Sequence, residues 1–545
     1  MQNQGAAPER PWFDRLGMVP SRRFWSACLA LAAVLLAIQL SFLELAGIQQ
    51  DEALFLRPFL RGESAPYSWA FGNTNVPVML MDYVGGLKTW LYWPVFWMWR
   101  PGLWSIRLPV CLLSLGTLLL FAGLVRRVTD ARVALGAALL LAVDSSFALT
   151  NVFDWGPVAL LMAGTVACMG LLVRFAASAG KVVLLSAFLL AGLMLWYKVV
   201  FAFPLTGMLI ACAVVIPRQV WQRATTRNLA VALTGLLIGA SPLLFFNFRT
   251  AGATLKAASY VEHTTANEKL MMLRLTLNGK ALEHYMFRST PEEILPLRGA
   301  PLGQLVQSWY RESSLGLGSF LLVGLFVSGV ALPFLKASRL FSAIAFGWVA
   351  GLSTMALFLI SGSAGAGPHH MVLLFPIPQF IVPATMAAIE ERARGRFRNG
   401  LLPGVLALVV ASNLILLTEY HRAALRNGFS VYWTDATRQL PLAIRKEGKP
   451  VAFLDWGIEA PTRIESGDTI QVVPPIPARP GILYVTHTAE YRISESETQG
   501  ILSDAALRGL TVSDAKTVAD SQGRPVISVF SLEAASSPFT ADILH

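Results

Sequence analysis

Long apolar segments constrain this 545-residue chain more than any other feature. About 18 or more consecutive apolar residues form a helix long enough to cross the roughly 30 Å hydrocarbon layer of a bilayer. Only 14% of the residues are charged, whereas soluble domains carry about 25%, and this difference excludes a single soluble domain. We predict a membrane protein, an all-α polytopic bundle. Its eleven predicted spans are residues 24–43, 106–125, 132–149, 156–173, 182–197, 200–216, 229–248, 315–335, 340–360, 371–389 and 401–418.

Arginine and lysine cluster at one end of these spans. The short connections at the other end, 150–155 and 361–370, contain neither residue. Cytoplasmic loops carry the excess of cations, so we predict a cytoplasmic N-terminus and, after an odd number of spans, an external C-terminus. This orientation explains the net charge of +11, and we expect no nucleic-acid partner. The cations of the cytoplasmic face are Arg10, Arg15, Arg22, Arg23, Arg126, Arg127, Arg132, Arg174, Lys181, Arg218, Arg223, Arg227, Lys336, Arg339, Arg392, Arg394, Arg396 and Arg398.

The first apolar run has a second interpretation, as the core of a signal peptide. A signal core has about 7–15 apolar residues, and the run at 24–43 is longer. We therefore interpret it as a membrane anchor.

The composition divides the chain into two domains. Residues 1–418 form the predicted membrane domain, with long external loops at 44–105 and 249–313. In the tail, 419–545, short β-branched runs alternate with prolines, which is typical of short strands separated by turns. We predict a small extracytoplasmic α/β domain there. Its predicted strands are Val451–Asp455, Thr469–Val473, Gly481–Val485 and Pro525–Phe530, with helices near 434–446 and 502–509.

Three carboxylates fall on the external face in this topology. Asp51 and Glu52 follow the first span, and Asp154 lies in the turn between the third and fourth spans. Acidic residues at these places also have structural roles, because they stabilise helix N-termini and turns. Their shared face makes them candidate catalytic residues.

Basic side chains lie at the same face. Lys88 interrupts the apolar, tryptophan-rich segment 76–104, for which we predict an interfacial helix, and Lys198 ends the fifth predicted span. An ammonium group in such a place either reaches back to water or binds a phosphate. His369 and His370 follow a glycine-rich turn, which is either a flexible connection or a second contact for a phosphate or a metal.

The order of these motifs resembles that of the GT-C superfamily of membrane glycosyltransferases. The similar branch contains the protein O-mannosyltransferases, the lipid A aminoarabinose transferase and bacterial family-39-like proteins. The likeness spans roughly residues 40–390 and begins with the acidic pair and Arg107-Leu-Pro. The longer motifs are Met81-Asp-Tyr-Val-Gly-Gly-Leu-Lys-Thr-Trp-Leu-Tyr-Trp-Pro94, Phe153-Asp-Trp-Gly-Pro157 and His369-His-Met-Val-Leu-Leu-Phe-Pro-Ile-Pro-Gln379.

This resemblance implies transfer of a sugar from a polyprenyl-phosphate donor to a glycan, lipid or protein acceptor at the outer face of a bacterial inner membrane. Asp51 would be the catalytic base, with Glu52 and Asp154 as further acids of the site. The donor phosphate would be bound by Lys88, Lys198, His369 and His370. We expect membrane lipids as partners, inversion at the anomeric carbon and no obligatory metal or cofactor, although a divalent metal remains open.

Two other function classes compete with this hypothesis. A transporter would place polar residues at mid-span, in broken helices along a pathway, but the mid-span positions here are mainly Leu, Ala, Val and Gly. A catalytically inactive scaffold is the third class, and the three acids argue against it.

Overall fold

The computed structural model describes residues 21–62, 65–72, 74–260, 264–287, 317–362, 364–365, 367–393 and 399–534. Several predicted cytoplasmic cations lie outside these ranges, namely Arg10, Arg15, Arg394, Arg396 and Arg398.

Helices occupy all eleven predicted spans. In the described part of the chain, seven helices are long and apolar enough to cross a membrane, and two bent helix pairs pass the same test. Two shorter apolar helices, Lys181–Tyr197 and Leu321–Leu335, lie at the remaining two predicted spans. The protein is therefore a multi-pass membrane protein. The membrane helices are α1 (Arg22–Leu43), α4 (Leu103–Val128), α5 (Ala131–Ala142) with α6 (Ser145–Phe153), α7 (Ala159–Ser178), α8 (Lys181–Tyr197), α9 (Ala202–Val215) with α10 (Pro217–Arg223), α11 (Thr226–Arg249), α15 (Leu321–Ala331), α16 (Phe341–Ile360), α17 (Pro368–Met371) with α18 (Ile377–Arg392), and α19 (Leu401–Asn427).

The third span is broken, which the sequence pattern did not predict. Helices α5 and α6 meet at an angle of 57°. Asp144 lies at the break, and its Oδ1 accepts a hydrogen bond of 2.9 Å from the Phe147 N–H. The Asp144 side chain thus starts a new helix, and this short helix α6 ends directly at Asp154.

Glycines bring the membrane helices into close contact. A Cβ atom at Gly192 of α8 would lie 2.3 Å from the Leu236 carbonyl oxygen, and one at Gly239 of α11 would lie 2.2 Å from that of Leu189. Small residues at such crossings let two helix backbones approach each other. This packing fixes α8, whose C-terminal end carries Lys198.

The first long loop contains a small sheet as well as helices. After α2 (Gln50–Leu54), strands β1 (Tyr67–Phe71), β2 (Thr74–Met81) and β3 (Val84–Gly85) form an antiparallel sheet in the order β1-β2-β3. The predicted interfacial helix over 76–104 is therefore shorter, because only α3 (Leu87–Met98) is helical before α4. The second long loop contains α12 (Ala253–Tyr260), α13 (Ala266–Leu277) and α14 (Glu283–Met286).

The tail forms the predicted α/β domain. Its strands are β4 (Val451–Phe453), β5 (Leu483–His487), β6 (Leu510–Ala519) and β7 (Pro525–Ala534). The sheet has the order β4-β5-β7-β6, with β4 and β5 parallel and the other pairs antiparallel. The predicted strand at 469–473 is absent from this described segment except for one bridge between Val451 and Val472, and β6 was not predicted. The helices of this domain are α20 (Ala436–Glu447), α21 (Glu459–Glu465) and α22 (Glu495–Leu507).

Candidate active site

Asp51 lies in the first turn of the short helix α2. Gln49 caps this helix with its side chain, and the Gln49 N–H donates to Glu52 Oε2 at 2.9 Å. The Asp51 side chain is half-buried. Its Oδ2 accepts a hydrogen bond of 3.0 Å from the backbone N–H of Gly156. The acid of the first loop is thereby joined to the turn that follows α6.

That turn is shaped by Asp154 and Gly156. Asp154 ends α6 in the left-handed region, with φ of 43°, and its Oδ1 accepts a hydrogen bond of 2.9 Å from the Ala159 N–H. Gly156 has φ of 66°, and a Cβ atom there would lie 2.3 Å from the ring of His369. A glycine is required on both counts. The turn thus presents a buried carboxylate and a backbone N–H side by side.

Both predicted lysines reach this turn. Lys88 Nζ forms an ion pair with Asp154 Oδ2, with both side chains buried, and it lies 4.6 Å from the centre of the Phe55 ring. Lys198 Nζ donates a hydrogen bond to the carbonyl oxygen of Gly156, and this lysine is 4% exposed. An ammonium group has three N–H donors, so each lysine retains capacity for a further acceptor.

The charge on Asp51 is set by competing effects. Burial and the nearby charge of Asp154 raise the pKa of Asp51. The charges of Lys198 and Lys88 and the hydrogen bond from Gly156 lower it. The net shift is upward, because burial is the largest effect. A carboxylate with a raised pKa is a stronger base than an ordinary aspartate, which suits proton abstraction.

The two histidines adjoin the same turn. Their ring centres lie 4.2 Å apart, and the His369 ring lies 4.8 Å from that of Trp155. His370 Nδ1 accepts a hydrogen bond of 3.2 Å from the Gly365 N–H. The Nδ1 atom of His369 is buried without a hydrogen-bond partner among the described residues.

Glu52 has a different environment from Asp51. Its carboxylate receives two hydrogen bonds from Arg107, at 2.7 Å from Nε to Oε1 and 2.8 Å from Nη2 to Oε2. Arg107 and Glu52 are 0% and 1% exposed. The structure thus brings Asp51, Asp154, both lysines and both histidines together, while Glu52 is taken up by Arg107. The sequence analysis placed Arg107 only in a motif, although an arginine inside an apolar span is itself a signal of a buried partner.

Within the described ranges, no group of three or more His, Cys, Asp or Glu side chains is placed to hold a metal ion.

An apolar cavity of about 160 Å³ lies between α4, α7, α9, α16 and α18. One end is formed by Leu373 and Pro376, a few residues after the two histidines, and the other by Val128 and Ile216 at the far ends of their helices. Its lining side chains are apolar apart from the hydroxyl groups of Thr165 and Thr354. The cavity thus extends through the bundle from beneath the histidines.

Comparison with solved structures identifies the fold class. The crystal structure of ArnT from Cupriavidus metallidurans bound to undecaprenyl phosphate matches with a TM-score of 0.54 and 14% identity, over 93% of this chain and 98% of ArnT. The apo form of ArnT matches with a TM-score of 0.53 and 14% identity, over 93% and 97% of the two chains. The Archaeoglobus fulgidus oligosaccharyltransferase, in complex with Zn and sulfate, gives a TM-score of 0.44 and 13% identity, over 80% of this chain and 61% of its own.

The chain therefore has an ArnT-like fold, and the predicted resemblance to GT-C glycosyltransferases is confirmed at the level of the fold. No protein-family profile and no curated protein sequence matches the chain.

Proposed function

We propose that this protein is a membrane glycosyltransferase that transfers a sugar from a polyprenyl-phosphate-linked donor to an acceptor hydroxyl. The observation that carries the proposal is the hydrogen bond from Gly156 to Asp51, on a turn that both Lys88 and Lys198 contact. It sets a carboxylate with a raised pKa beside two buried cations. The ArnT-like fold supports the same class of enzyme, and the ArnT crystal structure contains undecaprenyl phosphate.

The chemistry follows from the charges that develop during transfer. Asp51 accepts the proton of the acceptor hydroxyl as its oxygen forms a bond to the anomeric carbon. The bond between that carbon and the donor phosphate oxygen breaks, and its electron pair leaves with the polyprenyl phosphate. The sugar passes through an oxocarbenium-like state, which a neighbouring carboxylate stabilises. One displacement of this kind inverts the anomeric centre.

The cations stabilise the leaving phosphate. A phosphate departs as an anion and needs positive charge rather than an acid. We assign the stabilisation of the phosphate to the remaining N–H donors of Lys88 and Lys198 and to the His369 ring. Asp154 orients Lys88 through their ion pair, and Glu52 holds the loop through Arg107. The apolar cavity beneath the histidines supports a hydrocarbon donor, because its lining offers almost no polar partner.

We place this site at the extracytoplasmic face of a bacterial inner membrane. The cation distribution supports this orientation, since the cation-free connections 150–155 and 361–370 adjoin the site and the tail domain lies at the same end. Reporter fusions to the tail test the orientation.

Native mass spectrometry of the detergent-purified protein tests the proposal. Wild type and Asp51→Asn are each incubated with an undecaprenyl-phosphate-linked hexose, with Asp82→Asn, an exposed acid of the same loop, as the matched control. We expect the wild type and both variants to bind the donor. Lys198→Met is expected to reduce the bound fraction at least tenfold.

Binding of bulk phospholipid alone, with every polyprenyl-phosphate donor excluded, would contradict the proposal. Transport of the intact donor across a vesicle membrane, without cleavage, would support the transporter class instead.

A further inference from the structure

The segment that carries Asp51 is held between two arginines. Residues 44–49 connect the end of α1 at Leu43 to the start of α2. On the membrane side, Arg107 donates hydrogen bonds to the carbonyl oxygens of Leu43 at 2.6 Å, Ala46 at 3.0 Å and Gly47 at 2.6 Å. On the tail side, Arg438 Nη2 donates to those of Glu44 at 2.9 Å and Ala46 at 2.7 Å. The Ala46 carbonyl therefore accepts from both guanidinium groups.

Gly47 brings the tail domain into direct backbone contact with this segment. Its N–H donates a hydrogen bond of 2.9 Å to the Trp433 carbonyl oxygen. A Cβ atom at Gly47 would lie 2.0 Å from the Thr434 carbonyl oxygen, so a larger residue must displace one of the two backbones. Helix α21 of the tail domain also packs against α2. The tail domain thus contacts both the start and the helix of the Asp51 segment.

The electrostatics favour this arrangement. The last carbonyl groups of a helix lack partners within the helix and carry partial negative charge. Arg107 supplies a donor and positive charge to the Leu43 carbonyl at the end of α1, and Arg438 supplies them to the carbonyl of the C-cap residue Glu44. Glu465 of α21 places its Oε1 3.8 Å from Arg438 Nε, which partly balances the two cations. The segment is therefore hydrogen-bonded by Arg107 on the membrane side and by Arg438 on the tail side.

We propose that Arg438 is a positioning residue for sugar transfer and that the tail domain, through Arg438 and Gly47, keeps Asp51 at the Gly156 turn. Arg438 acts in this proposal through the Glu44 and Ala46 carbonyls of the Asp51 segment and not as a catalytic group. The consequence for the enzyme rests on the proposed function, whereas the placement of Asp51 can be measured without it. Geometry matters here because a misplacement of about 1 Å can lower a rate about 100-fold.

Hydrogen–deuterium exchange of the full-length protein in detergent measures the placement of Asp51. The Gly156 N–H is bonded to Asp51 Oδ2, and Arg438 makes no hydrogen bond to the 152–159 segment among the described residues. We expect Arg438→Ala to accelerate exchange at least tenfold both in 44–54 and at Gly156. Arg445→Ala, which removes another arginine of α20, is expected to leave both segments unchanged.

Two further variants separate positioning from loss of folding. Gly47→Ala keeps every charge but forces the backbones apart, so it is expected to give the same exchange pattern, with Gly500→Ala as its control because nothing lies within 4 Å of a Cβ at that glycine. Arg438→Lys is expected to restore slow exchange, since one nitrogen of Arg438 makes both contacts and an ammonium can replace it.

Turnover of undecaprenyl-phosphate hexose gives the functional readout. We expect Arg438→Ala to lower kcat at least tenfold with less than a threefold change in the KM for the donor, and Arg438→Lys to recover most of the rate. Faster exchange in 44–54 with unchanged exchange at Gly156 would overturn the positioning role. A wild type that turns over no donor would instead contradict the proposed function, and the exchange result would still stand.

Discussion

The site around Asp51 and the core of the tail domain each hold a carboxylate beside a basic group, but these carboxylates have different numbers of hydrogen-bond partners. Asp455 accepts hydrogen bonds from the N–H groups of Trp456, Ile493 and Ser494 at 2.7 to 3.0 Å. His487 Nδ1 lies 2.7 Å from its Oδ2. Because an ionised carboxylate only accepts hydrogen bonds, this nitrogen carries the proton.

The pKa values of Asp51 and Asp455 are shifted in opposite directions. Burial opposes the charged form of Asp455, but the hydrogen bonds and charge of His487, with those of Ile493 and Ser494, lower its pKa to about 2. Burial dominates at Asp51 and raises its pKa, since one N–H from the Gly156 turn is a weaker compensation. A buried carboxylate whose hydrogen-bonding capacity is filled stabilises a fold. A carboxylate with few hydrogen bonds, beside lysines that have unused N–H donors, is suited to catalysis.

The adjacent residues Asp51 and Glu52 show the same contrast in the number of hydrogen bonds that each carboxylate accepts. Glu52 is saturated by Arg107 and the Gln49 N–H, so Glu52→Gln leaves a buried guanidinium without its counter-charge. We expect this change to lower the free energy of unfolding by about 3–5 kcal/mol, measured by thermal or denaturant unfolding in detergent. The exposed neighbour Glu44 is the control, and Glu44→Gln is expected to change stability by less than about 0.5 kcal/mol. Equal stability of the Glu52 variant and the wild type would contradict the structural role of the pair.

Asp455 provides the second test. The shift of its pKa from 3.8 to about 2 corresponds to roughly 2 kcal/mol of stabilisation at neutral pH. Asp455→Asn is therefore expected to destabilise the tail domain by about that amount and to leave donor binding unchanged. Unfolding monitored by tryptophan fluorescence measures the effect, with the exposed Asp514→Asn as control. A variant as stable as the wild type would show that these hydrogen bonds do not stabilise the ionised form of Asp455 in the folded protein.

The pH dependence separates the same two acids. A lowered pKa stabilises the fold above the unfolded pKa of about 3.9, and this contribution is lost as the pH falls toward the folded value of about 2. Activity that requires ionised Asp51 is lost at a higher pH, because its pKa is raised. We expect donor turnover to fall on acidification before the tail domain loses stability. Simultaneous loss of both would argue against a raised pKa at Asp51.

Asp51→Asn is expected to have the smallest effect on stability. Because a raised pKa means that the charged form costs stability above the unfolded pKa, removal of the charge leaves the melting temperature unchanged or slightly higher. Melting temperatures of Asp51→Asn and Glu52→Gln, measured by thermal unfolding under the same conditions, test this expectation. A loss as large as that of the Glu52 variant would assign Asp51 a structural role.

The sequence predicts the membrane helices well because the requirement for apolar length is local. All eleven predicted spans coincide with helices or bent helix pairs. The β1–β3 sheet was missed because residues 76–81 are nearly uniformly apolar, and periodicity does not distinguish a strand from a helix in such a run. The break at Asp144 was missed because an acid inside a span had no visible partner in the sequence.

The site was predictable only as a set of residues on one face. Topology brings Asp51, Asp154, Lys88 and Lys198 to the same end of the bundle, but the ion pair between Lys88 and Asp154 joins residues 66 positions apart. No local pattern encodes such a contact. The different environments of Asp51 and Glu52 also depend on packing. Arg107 donates to the Glu52 carboxylate, whereas the Gly156 N–H donates to that of Asp51.

Turnover of labelled undecaprenyl-phosphate hexose in proteoliposomes that contain cell-envelope extract as the acceptor source tests the role of Asp51 most directly. Wild type, Asp51→Asn and Asp82→Asn are compared at saturating donor, with bound donor measured in parallel. We expect the wild type and Asp82→Asn to release undecaprenyl phosphate and transfer the label, and Asp51→Asn to bind the donor but transfer it at least 1,000-fold more slowly, a loss of about 4 kcal/mol in transition-state stabilisation. Full transfer by a folded Asp51→Asn protein would contradict the assignment of Asp51 as the catalytic base.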